Sequence, residues 1–279
     1  MALKILSLNL WHDAGPWPER AKRIREWIDR LDPDLIGFQE ALQGEATDQV
    51  AELLAGRGYH LDYAAATPRW LGREVSFGNA VASRWPLRTG EDDRAVLALP
   101  SGGDGEQRTA LSVTADAPFG PVSFTTTHLN WRFHHGQVRE RQVLALAPWV
   151  RKRRPPGGFP PLLVGDFNAE PESAEIRFVT GLQSLAGRSV YFADAWRVAG
   201  AGSDGTTWSN RNDYARRWLE PERRIDYVFA GPPRRDGLGQ VTSCRVVCDD
   251  SRDGVWPSDH FGVYAELRDA PHPELAAGG

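Results

Sequence analysis

Residues 162–168 read Leu-Leu-Val-Gly-Asp-Phe-Asn, and this heptapeptide passes from an apolar segment to a polar one. The run 162–165 is short, apolar and preceded by the proline-rich loop 154–161, which indicates a strand. Asp166 and Asn168 follow where that strand ends, and helical spacing is predicted next, over Glu172–Leu182. A strand that ends on a carboxylate and an amide places both groups at the rim of a sheet, where active sites commonly lie.

Polar side chains stand at the ends of other apolar strands as well. They are Asn9, Glu40, His128, Asp226, Asp259 and His260. With Asp166 and Asn168 they include carboxylates and amides, which are the hard oxygen ligands that Mg²⁺ and Mn²⁺ prefer. The histidines can stabilise or protonate a phosphoryl oxygen near neutral pH. A single metal ion can polarise a phosphate and activate water, so this set predicts metal-dependent phosphoester hydrolysis.

The order of the predicted elements indicates an α/β fold. Strands are predicted at Lys4–Leu10, Leu35–Glu40, Gly78–Ser83, Arg94–Leu99, Thr109–Ala115, Val122–Leu129, Ile225–Ala230, Val241–Val247 and Phe261–Leu267. Helices are predicted at Glu19–Leu31, Ala46–Ala55 and Gln137–Val150, and Pro148 should kink or shorten the last of these. Consecutive central strands favour antiparallel pairing, and the flanking strand–helix alternation puts helices outside the sheets. The pattern predicts two sheets packed face to face.

Composition bounds the class of protein. The chain has 279 residues, 41% of them hydrophobic, and no apolar run reaches the roughly 18–20 residues that span a membrane. We predict one domain over 1–269 and a disordered tail over 270–279. The N-terminus alternates like a strand rather than a signal peptide, and Cys244 and Cys248 lack the spacing of a zinc site. These features favour a cytoplasmic protein.

The charge of the chain bears on its partners. A net charge of −4 argues mildly against a tight, non-specific DNA binder, although a metal site can supply a local positive field. The segment 210–224 is rich in arginine and also contains Tyr214 and Trp218. It is either a loop that faces the substrate or a surface helix with solvated arginines. Both interpretations stay open on the sequence.

Seven short motifs together resemble a known family. They are Leu-Asn-Leu-Trp (8–11), Phe-Gln-Glu (38–40), Gly-Asn-Ala (78–80), Thr-His-Leu (127–129), Gly-Asp-Phe-Asn (165–168), Arg-Ile-Asp-Tyr-Val (224–228) and Ser-Asp-His (258–260). The set, in this order, looks like the endonuclease/exonuclease/phosphatase family of deoxyribonuclease I-like phosphoesterases. Each motif alone is weak, and the full series covers the chain from residue 8 to about residue 267. The resemblance implies a four-layer αββα sandwich with two mixed sheets.

The resemblance also implies roles for the polar residues. Glu40 would bind Mg²⁺ (or Mn²⁺) directly, with Asn9 and Asp259 nearby. His128 would stabilise phosphate oxygens or assist the leaving group. The remaining roles concern the attacking water and the phosphate.

In that family pattern, Asp166 and Asn168 would orient the attacking water and the scissile phosphate. His260 would contact the phosphate, held and charged by Asp226. The group that takes the proton from water is either Asp166 or the Asp226–His260 pair, and the sequence does not choose between them.

Other residues near the motifs are candidates for contact with the substrate. They are Asn79, Arg108, Asn130 and Arg224. Tryptophans close to the motifs, Trp11, Trp131, Trp208 and Trp256, predict an aromatic wall of the pocket. The substrate itself stays open at this point. A phosphodiesterase or nuclease, acting on a phosphoester such as a nucleic acid or nucleotide, is favoured over a phosphomonoesterase or a sphingomyelinase-like lipid-headgroup phosphodiesterase. An inactive binding protein is a remote alternative.

Overall fold

The computed structural model describes residues 2–103, 105–202 and 204–276. Its strands are β1 Ala2–Asn9, β2 Leu35–Gly44, β3 Thr47–Asp48, β4 His60–Thr67, β5 Val75–Ser83, β6 Arg94–Ala98, β7 Thr109–Ala117, β8 Gly120–His128, β9 Leu162–Asp166, β10 Ala193–Asp194, β11 Asp226–Ala230, β12 Val241–Val247 and β13 Gly262–Arg268. Its helices are α1 Trp17–Leu31, α2 Gln49–Leu54, α3 Gly136–Lys152, α4 Ala174–Val179, α5 Ala195–Ala199, α6 Asp213–Arg216 and α7 Pro273–Ala276.

The strands form two sheets. The first has the order β12-β13-β1-β2-β5-β4, with β3 paired to β2, and the second has the order β10-β11-β9-β8-β7-β6. Each sheet contains one parallel pair, β1 with β2 and β8 with β9, among antiparallel neighbours. Both sheets are therefore mixed, as the family pattern implied.

Alternation along each strand decides which residues face the other sheet. In β1, Leu3 and Ile5 belong to the core between the sheets, whereas Leu6 and Leu8 belong to the core beneath α1. Successive strand residues point to opposite faces, so Asn9 falls on the side of Ile5. By the same alternation, the last inward-facing residues of β8 and β9 are His128 and Asp166, and the first of β11 is Asp226. These three residues lie at one end of the space between the sheets.

Helices cover the two outer faces of the sheets. Ile24, Trp27 and Ile28 of α1 are buried against the first sheet. Val143 and Leu146 of α3 are buried against the second. Each such side chain contributes about 1.5–3 kcal/mol when it leaves water. The arrangement confirms the predicted four-layer αββα sandwich.

Several element boundaries differ from the prediction. Strand β4 was not predicted, because it is a sheet edge rich in alanine, which has low β propensity. Helix α2 begins only after Asp48, whose side chain accepts a hydrogen bond from the backbone N–H of Ala51 (2.9 Å). Helix α4 is shorter than predicted, and Gly181 (φ 76°) turns the chain soon after its end. Helix α3 continues past Pro148 to Lys152, so the proline does not end it.

The C-terminal segment was predicted to be disordered from residue 270 onward. Its described part contains α7, and residues 277–279 lie outside the described residues. The extent of the domain therefore stays a prediction. Among the described residues, none of the helices combines the length and apolar character needed to cross a membrane.

Candidate active site

Strand ends from both sheets meet at one edge of the sandwich. Asn9 ends β1, His128 ends β8 and Asp166 ends β9. Asp226 begins β11, and because β11 runs antiparallel to β9, it pairs directly with Asp166. Residues 259–260 precede β13, whose first residues lie opposite the end of β1. The structure therefore brings together side chains that are far apart in the sequence.

Gly165 allows strands β8 and β9 to lie close together at the site. Gly165 has φ 146°, and a Cβ atom at this position would lie 2.0 Å from the carbonyl oxygen of Thr127. Any other residue would push β9 away from β8. The motif Gly-Asp-Phe-Asn therefore needs its glycine to hold Asp166 beside His128, its partner across the two strands.

His260 is held between two carboxylates. Its Nδ1 lies 2.9 Å from Oδ2 of Asp226, and its Nε2 lies 3.8 Å from Oδ2 of Asp166. Trp208 packs edge-on against the imidazole, with ring centroids 5.0 Å apart. Burial alone would lower the pKa of His260, but the charges of Asp226 and Asp166 raise this pKa to about 10. The imidazole is therefore held as a cation at neutral pH.

Asp166 lies at the centre of the cluster. Its Oδ1 accepts the backbone N–H of Asn168 (2.8 Å), and its Oδ2 accepts Nδ2 of Asn9 (3.1 Å). Burial raises the pKa of Asp166 to about 7, and the charge of Asp226 adds to the rise, while His260 and the two hydrogen bonds oppose it. The two hydrogen bonds thus fix the orientation of the carboxylate, while burial and the charge of Asp226 outweigh the stabilising effect of His260 on its ionised form.

The hydrogen bonds of His128 determine its tautomer. Nη1 of Arg108 lies 3.0 Å from its Nδ1, and a guanidinium can only donate, so Nδ1 accepts. The proton of the neutral ring then sits on Nε2 and faces Oδ2 of Asp166 at 3.3 Å. Nδ2 of Asn168, 3.0 Å from the same nitrogen, is then a close contact between two donors, and this amide donates to the carbonyl oxygen of Leu129 instead. Burial, followed by the charges of Arg108 and His260, holds the pKa of His128 well below its ordinary value. The ring is neutral and donates toward Asp166.

Glu40 reaches the cluster through an irregularity in β2. The register of β2 against β5 shifts between Phe38 and Ala41, and Glu40 has φ 56°. Such a bulge redirects a side chain, here into the cleft. Its Oε1 lies 3.9 Å from Nδ1 of His128. No hydrogen bond to the Glu40 carboxylate occurs among residues 2–103, 105–202 and 204–276, which leaves its oxygens available to a ligand.

Asp259 lies in the same cleft as Glu40. Ser258 Oγ donates to its Oδ1 (3.2 Å). Burial raises the pKa of Asp259 to about 6, opposed by His260 and reinforced by Glu40. Two carboxylates that share a buried site repel each other, and a divalent cation between them would relieve that repulsion. The donor chemistry of this pair fits Mg²⁺ or Mn²⁺.

A second cluster also has the composition of a metal site. Ligand atoms of Asp166, Asp226 and His260 lie within 4.8 Å of one another, and Oδ1 of Asp226 is buried without a partner. A buried group of acids and histidine could therefore bind a metal ion. Nδ1 of His260 is already engaged with Asp226, so Nε2 is the imidazole nitrogen that could serve as a ligand there. We favour the side of the cleft that holds Glu40 and Asp259.

The four predicted substrate residues reach different places. Arg108 lines the cleft beside His128. Asn130 lies just behind it, where Nδ2 donates to Oε2 of Glu106 (2.8 Å). Asn79 is buried, and its Nδ2 donates to the carbonyl oxygen of Thr109 (2.8 Å) in the other sheet. It holds the two sheets together rather than facing the cleft.

Arg224 is not among the residues that line the cleft. Its Nη1 lies 2.8 Å from Oδ2 of Asp194, and both side chains are nearly buried. Its neighbour Arg223 lines the cleft instead and forms an ion pair with Glu220. Adjacent residues of an extended segment point to opposite sides, so one of the two arginines had to face away. The sequence named Arg224 as a substrate candidate and left Arg223 within the arginine-rich segment 210–224, whose role stayed open.

The cleft has a volume of about 330 Å³ and a largely aromatic wall. Three of the four tryptophans predicted to wall a pocket, Trp11, Trp131 and Trp208, line it, whereas Trp256 packs on Phe261. Trp218 also lines it, although it was assigned only to the arginine-rich segment. That segment therefore combines a short helix with residues that face the cleft.

Comparisons with known proteins agree with this description. Residues 6–260 match the model of the Endonuclease/Exonuclease/phosphatase family. A search of curated proteins found no match. Among solved structures, the chain is similar to an endonuclease/exonuclease/phosphatase from Beutenbergia cavernae DSM 12333, with 27% identity and a TM-score of 0.70 over 96% of this chain and 71% of the other.

Two further structures share the fold at lower identity. TDP2 from D. rerio, complexed with a single-strand DNA product, is 18% identical with a TM-score of 0.73, covering 96% of this chain and 99% of that one. The human Nocturnin catalytic domain, with a bound sulfate anion, is 21% identical with a TM-score of 0.69, covering 95% of this chain and 92% of that one.

Proposed function

The chain belongs to the Endonuclease/Exonuclease/phosphatase family, and on that premise we propose that it is a Mg²⁺-dependent phosphodiesterase. The family comprises phosphoester hydrolases, and the motifs that suggested the resemblance lie together in one cleft. The observation that carries the proposal is the buried row Asp226–His260–Asp166, with separations of 2.9 and 3.8 Å. A charged imidazole backed by a carboxylate suits contact with a phosphate oxygen.

Glu40 and Asp259 would hold the metal ion, with Asn9 close by. The support is the hard donor chemistry of the pair, the burial that raises the pKa of Asp259 with a smaller contribution from the charge of Glu40, and the absence of a hydrogen-bond donor on Glu40 among the described residues. When bound, the ion would polarise a phosphate oxygen and activate water. Mn²⁺ is expected to support the same activity.

The other polar residues would act on the water and the phosphate. Asp166 accepts the proton of the attacking water, since its carboxylate is fixed by the N–H of Asn168 and the amide of Asn9. His260 donates to a phosphate oxygen from Nε2, because Nδ1 is engaged with Asp226. Neutral His128, backed by Arg108, stabilises the remaining phosphate oxygens or the leaving group.

The charge of the cleft favours a diester over a monoester. Five carboxylates and two arginines line it, so a monoester dianion meets more repulsion than a diester monoanion. A nucleic-acid substrate is the alternative, because the similar D. rerio TDP2 structure holds a single-strand DNA product. A cytoplasmic location stays a prediction.

The test is hydrolysis of bis-p-nitrophenyl phosphate by purified protein in Mg²⁺, in Mn²⁺ and in EDTA. p-Nitrophenyl phosphate and plasmid DNA serve as the monoester and polymer comparisons. We expect turnover with either metal, none in EDTA, and a loss of about 10²–10³-fold in kcat in Asp226→Asn. Asp116→Asn, on a half-exposed aspartate outside the cleft, should retain full activity. Equal rates with and without metal would contradict the proposal.

A further inference from the structure

The mouth of the cleft carries two exposed tryptophans. Trp131 follows β8 and is 48% exposed, and Trp218 follows α6 and is 59% exposed. Both line the cleft, although they come from separate segments of the chain. A single exposed ring is ordinary, but two that face one pocket indicate a surface for a ligand.

The charged groups deeper in the cleft are already matched to each other. Arg108 forms an ion pair with Glu106, and Arg223 forms one with Glu220. Neither arginine is left to neutralise a long row of phosphates. Of the other lining groups, Glu40, Asp166 and Asp259 are acidic and His260 is cationic, so a bound divalent cation would bring the charge of the cleft close to zero and leave no excess positive charge.

Arginines beside the mouth are also engaged. Nη1 of Arg73 lies 2.7 Å from Oδ2 of Asp13, and Arg216 forms an ion pair with Asp213. A polynucleotide bound through its backbone needs several uncompensated lysines or arginines along its path. Arg217 differs, because it lies over the ring of Trp11 at 5.0 Å and has no carboxylate partner among the described residues. Most of the surface at the mouth is therefore aromatic rather than a row of unpaired cations.

We propose that the substrate is a small phosphodiester whose non-scissile part is a planar, uncharged ring system that stacks on Trp218 and Trp131. The inference rests on the proposed function and specifies the substrate class of the same site. A cleft of about 330 Å³ is at the lower end of small-molecule pockets, and it accommodates one ring system and a phosphate.

The first experiment compares two diesters with the same leaving group, thymidine 5′-(p-nitrophenyl) phosphate and methyl p-nitrophenyl phosphate. Stacking contributes about 1–3 kcal/mol per base, so we expect kcat/KM to be about 5- to 150-fold higher for the thymidine ester. In Trp218→Leu this ratio should fall at least about fivefold. Tyr191→Leu, on an aromatic side chain that is 50% exposed and outside the cleft, should leave the ratio unchanged. An unchanged ratio in Trp218→Leu would overturn the inference.

The second experiment adds a single-stranded DNA oligonucleotide and varies the salt from about 50 to about 200 mM. A protein that neutralises six or more phosphates loses about 10³–10⁵-fold in affinity over this range. We expect kcat/KM for the thymidine ester to change by less than about threefold and to exceed that for the oligonucleotide. A preferred oligonucleotide with a steep salt dependence would refute the inference while the phosphodiesterase proposal stood.

A binding measurement separates the two proposals if no ester is hydrolysed. Calorimetry in EDTA would compare bis-p-nitrophenyl phosphate with dimethyl phosphate. Tighter binding of the aryl ester, lost in Trp218→Leu and kept in Tyr191→Leu, supports the aromatic site even if catalysis fails. Equal affinity of the two esters, or no effect of Trp218→Leu, overturns it.

Discussion

In the metal-free protein, ionisation of the buried carboxylate of Asp259 is unfavourable. Its pKa rises from 3.8 to about 6, chiefly through burial, and this change corresponds to about 3 kcal/mol. The folded protein therefore holds a proton that the unfolded chain releases between these pH values. Because the folded pKa is raised, the contribution of Asp259 to the stability of the metal-free protein falls as the pH rises from about 4 to about 6.

We expect Asp259→Asn to raise the melting temperature of the metal-free protein at pH 7.5. The substitution removes the buried charge, and each kcal/mol is worth about 2–4 °C for a chain near this size. The gain should shrink as the pH is lowered through 6 and vanish below 4, where the wild-type carboxyl is protonated. Thermal denaturation in EDTA at several pH values measures it. A gain that does not depend on pH would contradict the assigned cause.

Metal affinity is the most direct test of the role proposed for Glu40. We expect Glu40→Ala to raise the Mg²⁺ concentration for half-maximal activity at least about 10-fold, because losing a residue that only supports a metal ligand already costs about 10–100-fold. Mn²⁺ binding measured by calorimetry should weaken in parallel. Glu45→Ala, on an exposed glutamate of the neighbouring turn, is the matched control. Unchanged metal affinity in Glu40→Ala would show that the ion binds in another part of the cleft.

At the scale of the elements, one ion pair joins α3 to α4. Nε of Arg139 donates to Oε1 of Glu175 (2.6 Å), and both side chains are buried. The same guanidinium donates to the carbonyl oxygens of Asn130 and Arg132. The pair therefore also positions the loop that carries Trp131 at the cleft.

We expect Glu175→Ala to lower the free energy of unfolding by about 3–5 kcal/mol, since it leaves a buried guanidinium uncompensated. Urea denaturation followed by circular dichroism measures the loss. Glu172→Ala, on an exposed glutamate just before α4, should change stability by less than about 0.5 kcal/mol. Equal effects of the two substitutions would show that the pair contributes nothing specific.

At the scale of the whole molecule, Gly37 allows the two sheets to lie close together. A Cβ atom there would lie 2.4 Å from Cγ2 of Val164 and 3.1 Å from Cβ of Thr126, both in the other sheet. Beside it, Nε2 of Gln39 donates to Oγ1 of Thr126 (2.9 Å). This contact sets the sheet separation next to the site.

We expect Gly37→Ala to destabilise the protein by about 1–3 kcal/mol through overpacking. Combining it with Val164→Ala should cost less than the sum of the single losses, because the second change makes room for the new methyl group. Unfolding free energies of the two single variants and the double variant give the coupling. Additive losses would show that the sheets move apart instead of clashing.

The sequence predicted the parts of the fold that depend on local pattern. Period-two alternation identified the central strands, and the polar residues at their ends identified Asp166, Asp226 and His128 as one site. It did not identify β4, whose alanines carry little strand preference, or the true start of α2, which Asp48 caps. It also did not decide which of Arg223 and Arg224 faces the cleft, because that depends on the bridge between Arg223 and Trp208 in the folded chain.

By itself, the sequence predicted two packed sheets with helices outside and the hard-ligand chemistry of its polar residues, because these follow from short-range periodicity and residue type. The four-layer αββα architecture was implied by the resemblance of the motifs to a known family. The tertiary structure decided the rest. Only packing between the sheets places His260 within reach of two carboxylates, turns Glu40 into the cleft and brings Trp131 and Trp218 to one mouth. These relations join residues from distant parts of the chain, and no local pattern encodes the distance between them.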